Sequence, residues 1–123
     1  MAAPNLIGAT TINGKSSGTA LSSTSEIQVL NNASSSGKAL KVNTILVSNS
    51  NNGGVLVTVS YHSAASLGGT AYPIVANVTI PGNSTLTVLD KTVQLYLEEN
   101  TSLGATAGTA NYLNVLVAYE DIS

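Results

Sequence analysis

The chain of 123 residues contains no cysteine, tryptophan, phenylalanine or arginine, and only one histidine, His62. Without cysteine there is neither a disulfide framework nor a thiolate ligand for a metal. One histidine leaves no imidazole cluster for zinc and no two-histidine facial triad within one chain. Charge is scarce as well, at 8% of residues, where soluble domains carry about a quarter. The four lysines, Lys15, Lys38, Lys41 and Lys91, are scattered along the sequence, so no basic stripe exists to track phosphates and no nucleic-acid partner is expected. No apolar run approaches about 18 residues, and the opening MAAPNLIGATTING has no basic residue before an apolar stretch. Neither a membrane span nor a secretory leader is expected.

What remains is a chain 43% hydrophobic, mostly Val, Leu, Ile and Ala with five tyrosines, set among abundant Ser, Thr and Asn. Its length suits one domain. At 12.4 kDa a folded chain exposes roughly 6,100 Å² against about 18,000 Å² unfolded, so about two-thirds of the surface is buried and a core forms without staples. A surface this poor in charge is suited to contact with another molecule.

The dominant period is two. Val55, Val57, Val59 and Tyr61 alternate with Leu56, Thr58, Ser60 and His62, as in a strand with one buried face. The pattern returns in Ile74, Ala76, Val78 and Ile80, in Val93, Leu95 and Leu97, and in Leu113, Val115, Val117 and Tyr119. Ile45, Leu46 and Val47 are apolar on both faces, which fits a central strand. Weaker strands are expected over Leu6 to Ile12, Glu26 to Leu30 and Leu86 to Leu89. Asn13-Gly14 has the composition of a type I′ hairpin turn, and Pro81-Gly82 that of positions i+1 and i+2 of a type II turn. SLGGTAY (Ser66 to Tyr72) and SLGATAGTANY (Ser102 to Tyr112) read as small-residue loops. The expected fold is an all-β antiparallel sandwich, jelly-roll or immunoglobulin-like, of seven to eight short strands. Residues 9–123 form its single domain and residues 1–8 an N-terminal arm.

Four of the six acidic residues fall in two adjacent pairs, Glu98 with Glu99 and Glu120 with Asp121. Neighbours on a strand point to opposite faces, so neither pair converges on one substrate, and both are expected to be solvated strand ends. A glycosidase needs two carboxylates at a set separation, usually beside aromatic sugar platforms and polar anchors. Trp, Phe and Arg are all missing here. His62 is expected to be exposed on the polar face of its strand, with no GxSxG elbow and no carboxylate in recognisable relation to it. The spaced D-x-[DN]-x-[DN]-G calcium loop is absent. Asn32, Asn77, Asn83 and Asn100 fit N-x-[ST], a pattern that recurs by chance in a chain rich in Asn, Ser and Thr. No catalytic residue, cofactor or metal is assigned, and the expectation is a protein that is not an enzyme.

Three stretches carry a family likeness: MAAPNLIGATTINGK, VNTILVSNSNNGGVLVTVSY with VTIPGNSTLTVLDKTVQLYLEEN, and the ending LNVLVAYEDIS. Together they resemble small virion structural proteins of marine tailed phages, particularly those infecting cyanobacteria. The likeness lies in strand rhythm and in the ending, not in a chemical signature. It implies a β-sandwich made in the host cytoplasm and incorporated in the virion, as a decoration or cement protein bridging the outer head surface. Its partners are then the major capsid protein or another virion protein, with self-association, a trimer among the options. A neck, tail or fibre-attachment protein is the alternative within that family. The apolar arm Met1, Ala2, Ala3, Pro4, Asn5, Leu6, Ile7 is the candidate contact segment. A carbohydrate-binding module is the alternative outside it, with Tyr61, Tyr72 and Tyr112 as stacking platforms.

Overall fold

The computed structural model describes residues 10–90 and 92–123; the expected arm, Met1 to Gly8, lies outside them. Within the described residues there is no helix and there are nine strands: β1 (Ile12–Leu21), β2 (Ile27–Asn32), β3 (Ala39–Asn49), β4 (Val55–Ala64), β5 (Gly68–Ile80), β6 (Thr85–Leu89), β7 (Leu95–Leu97), β8 (Thr101–Ala107) and β9 (Leu113–Ile122). They form two antiparallel sheets. One has the order β1-β9-β3-β6, with β7 also paired to β3, and the other the order β2-β8-β4-β5.

Both orders interleave the first half of the chain with the second, and the first and last strands lie side by side. This double Greek-key arrangement is that of a jelly roll, which decides between the two sandwich types expected. A jelly roll has eight strand positions, and here the sixth is shared. β6 pairs with the second half of β3 and β7 with the first. Between them the backbone turns at Asp90, whose carboxylate accepts the Thr92 amide at 2.9 Å.

The core lies between the sheets and is supplied by the period-two runs. Val42, Ile45 and Val47 of β3 face Val55, Val57 and Val59 of β4, with Leu113, Val115 and Val117 of β9 beside them; all are at most 2% exposed. β-branched side chains fit this pleated, covered surface, and each fully buried aliphatic contributes about 1.5–3 kcal/mol. The step from Val42 to Ile45 breaks strict alternation because the register against β9 shifts between Val42 and Thr44. That shift is a β-bulge, which returns Ile45 to the core face. β9 is paired on both sides and is a central strand, so Glu120 and Asp121 do not mark a sheet edge.

Several local expectations are overturned. Asn13 and Gly14 form no hairpin; they lie inside β1 opposite Asp121 and Glu120, because β9 supplies a full-length partner there. Pro81-Gly82 is not a type II turn. The left-handed residue is Asn83, at φ 56°, and a Cβ on Gly82 would lie 2.0 Å from the Asn52 carbonyl oxygen, so glycine is required there for close approach of two loops. Ser102 to Ala107, read as a loop, is β8, between β2 and β4 at the centre of its sheet. Its small residues serve close packing, with Ala105 and Ala107 in the core. Gly68 to Tyr72 likewise opens β5. Val93 precedes β7 and is 60% exposed.

The asparagines also take structural roles. Asn77, Asn83 and Asn100 have left-handed backbones, which Asn tolerates better than most residues. Asn32 is buried and donates to the carbonyls of Lys38 and Leu97, both at 2.9 Å.

Candidate interaction surface

The outer face of the β1 sheet is built from alternate residues of its central strands. Cross-strand pairing places Gly18, Leu116, Leu46 and Thr87 in one row. Ser16, Ala118 and Thr44 lie in the row on one side, and Ala20, Asn114, Ser48 and Thr85 in the row on the other. None of these residues is charged. Leu116 is 47% exposed and borders a shallow concavity of about 430 Å³ with Leu46, Gly18 and Ala20. A Cβ added to Gly14 or Gly18 would meet no described residue within 4 Å, and neither glycine has a positive φ. Glycine in a strand interior weakens it and often marks a place where another backbone or a ligand approaches closely.

Charge begins one row further on. There Glu120 accepts from Asn43 at 3.1 Å and pairs with Lys41 at 3.7 Å. Asp121, on the opposite face, is 5% exposed and takes Lys15 at 3.1 Å and Lys38 at 3.2 Å on one oxygen. The expectation of a solvated strand end fails for this residue. Burial works against the charged form of Asp121, but the hydrogen bonds and charges of Lys15 and Lys38 outweigh it and hold the carboxyl below its ordinary value. The same hydrogen bond, with the charge of Asp121 behind it, raises Lys15. Lysines scattered in sequence are thus gathered by the fold. Of the other pair, Glu98 is exposed in the β7–β8 turn, while Glu99 accepts the Gly37 amide at 3.0 Å.

His62 is also misjudged by the sequence. It does lie on the outer face of its sheet, opposite Ser102 of β8, but it is only 4% exposed. Glu26, 36 residues away, approaches Nε2 at 2.7 Å, so the ring has a carboxylate partner after all. Among the described residues no three His, Cys, Asp or Glu side chains gather as a metal site.

The tyrosines do not form one platform. Tyr61 and Tyr72 are cross-strand partners with ring centroids 6.3 Å apart and tilted by 38°. Tyr72 is 55% exposed. Tyr112 precedes β9, where its carbonyl accepts the Ser50 amide at 3.0 Å. That is the opposite end of β4 from Tyr61. The arm residues Met1 to Ile7 lie outside the described residues.

No family model and no curated protein matches this chain. The functional reading therefore rests on the surface itself. Leu46, Leu116, Gly14 and Gly18 were missed as surface candidates, although Gly14, Ser16, Gly18 and Ala20 form a period-two run of small residues that is visible in the sequence.

Proposed function

We propose that this chain is a structural protein of a tailed-phage particle, a decoration or cement protein bound to the outside of the head through the outer face of the β1 sheet. The observation that carries the reading is the uncharged patch around Leu46 and Leu116, beside Gly18, whose missing side chain no described residue requires. The likeness of the sequence to small phage virion proteins supports it. The jelly roll is compatible with it but also serves lectins and enzymes, so the fold alone decides nothing.

The mechanism is bridging. A domain that touches two capsomers buries surface only in the assembled shell and shifts the balance toward the intact state. Three uncharged rows across four strand positions span roughly 300 Å² at ordinary strand spacings. A standard interface buries about 800 Å² per partner. Further area must come from elsewhere, and the N-terminal segment or neighbouring copies are the sources expected. Clustering then supplies avidity.

Quantitative mass spectrometry of purified particles tests the reading. A decoration protein is present in tens to hundreds of copies and binds heads that lack tails. A dozen copies or fewer would move it to the neck or tail. The exposed Tyr72 beside Tyr61 favours a second reading, glycan binding, which saturable binding of an oligosaccharide, lost in Tyr72→Ala, would establish.

A further inference from the structure

The β4–β5 connection does not simply reverse the chain at the sheet end. It folds back on the outer face of the β2 sheet and is tied there by side chains from three places. Ala65 N donates to Asn100 Oδ1 at 3.1 Å, Ser66 N to Asn31 Oδ1 at 2.8 Å and Leu67 N to Ser102 Oγ at 3.0 Å. Ser66 and Leu67 both have left-handed backbones, at φ 57° and 59°. Neither residue type adopts that conformation readily, so the loop holds this shape only while its ties are made.

Beneath the loop lies the Glu26–His62 pair. The ring Nε2 is 2.7 Å from Glu26 Oε2 and Nδ1 is 3.3 Å from the Gly68 carbonyl oxygen at the end of the loop. A carbonyl oxygen only accepts, and an ionised carboxylate only accepts. Both bonds exist together only when the pair holds two protons: an imidazolium facing a carboxylate, or a neutral ring facing a carboxylic acid. Either form is neutral overall. Loss of one proton leaves a net negative charge on the pair, whose carboxylate keeps 30% exposure, and turns a ring lone pair toward one of the two oxygens, which is costly because the ring side chain is only 5% exposed. Glu26 is the titratable group bonded to the ring. The ring's cross-strand partners, Ala71 of β5 and Ser102 of β8, carry no charge, and neither do Gly68 and Leu67 in the loop.

We infer that the Glu26–His62 pair is a proton-dependent latch that holds the β4–β5 loop closed over the β2 sheet and releases it as pH rises. The sign follows from the proton count. The closed pair keeps a proton that the open pair gives up as pH rises, so closure is favoured at low pH, and over that range the closed-to-open ratio changes by at most about tenfold per pH unit. Histidine is the side chain that ordinarily changes charge between pH 5 and 8, and this chain has one histidine and no cysteine.

Amide hydrogen exchange on the intact protein, corrected at each pH for the unstructured rate, tests the latch. Protection of the Ser66 and Leu67 amides is expected to fall about tenfold or more between pH 5 and 9, while amides of β9 keep theirs. Glu26→Gln gives a partner that donates to Nε2 of a neutral ring, so both ring bonds survive without the extra proton. In that variant the loop is expected to stay protected at pH 9 and the pH step to vanish. Protection that is flat with pH in the natural chain, or an undiminished step in the variant, overturns the proposal.

Discussion

On the outer side of the β1 sheet, Gly18, Leu116 and Leu46 lie side by side with no part of the described chain within reach of a Cβ on Gly18. On the outer side of the β2 sheet, a Cβ on Gly104 would lie 2.4 Å from the Glu26 carboxylate and 2.7 Å from Leu67. The two glycines occupy similar positions, each facing outward from a strand, yet one is open to another molecule and the other is filled by the chain's own loop. A jelly roll has two outer faces, and this chain covers one of them itself. The described residues leave the other face bare, and that is the face used in the proposed attachment.

The strongest test of that contrast uses neighbours on one strand. Val115 is 1% exposed and Leu116 47%, so their side chains point to opposite sides of the same sheet. Val115→Lys places an unpaired charge in the core and is expected to cost more than about 4 kcal/mol, abolishing the folded state in a denaturation experiment. Leu116→Lys is expected to change stability by less than about 0.5 kcal/mol and to remove attachment to phage heads in a cosedimentation assay. If Leu116→Lys binds heads as well as the natural chain, the bare face is not the contact.

The next test compares the glycines. Gly104→Ala pushes the Glu26 carboxylate and Leu67 aside; both are side-chain ends that can move, so the expected cost is about 1–3 kcal/mol, with loss of loop protection in hydrogen exchange. Gly18→Ala meets no described atom within 4 Å and is expected to stabilise the isolated domain by about 0.4–1 kcal/mol through the unfolded state. On the particle the same methyl should weaken attachment if a neighbouring backbone approaches there. Equal melting-temperature changes for the two variants would break the comparison.

A smaller effect separates the charged margin from both faces. The folded carboxyl of Asp121 lies below its ordinary value of 3.8, so its contribution is full above that value and is lost as pH falls through the lower folded value. Urea midpoints measured from pH 5 down to pH 2 should therefore decline. Asp121→Asn should cost about 1–3 kcal/mol at pH 7 and flatten part of that acid decline. An unchanged acid limb in the variant would show that Lys15 and Lys38 do not stabilise the fold through this carboxylate.

The inner faces were legible because burial imposes a period of two on a strand, and the runs at Val55 to Val59 and Leu113 to Val117 carry that period without interruption. The alternation of β9, without charge as far as Glu120, suits a strand deep in a sheet or one paired with another chain, and its pairing with β1 and β3 decides for the first. The turns were less legible. Asn13-Gly14 has hairpin composition, but composition does not reveal that a strand more than a hundred residues later takes up the pairing. Ser102 to Ala107 reads as a loop because small residues are common in loops, and nothing local says that Gly104 sits under Glu26, just ahead of β2.

Sequence alone therefore determined the all-β class, the single core and the scarcity of charge, because each depends on local pattern or on composition. Tertiary structure decided which outward face the described residues leave bare, that Lys15 and Lys38 converge on Asp121, and that His62 lies buried against Glu26. Those outcomes depend on which strands become neighbours and where the β4–β5 loop folds back. Strand order brings together residues tens to more than a hundred positions apart, and no local period records it.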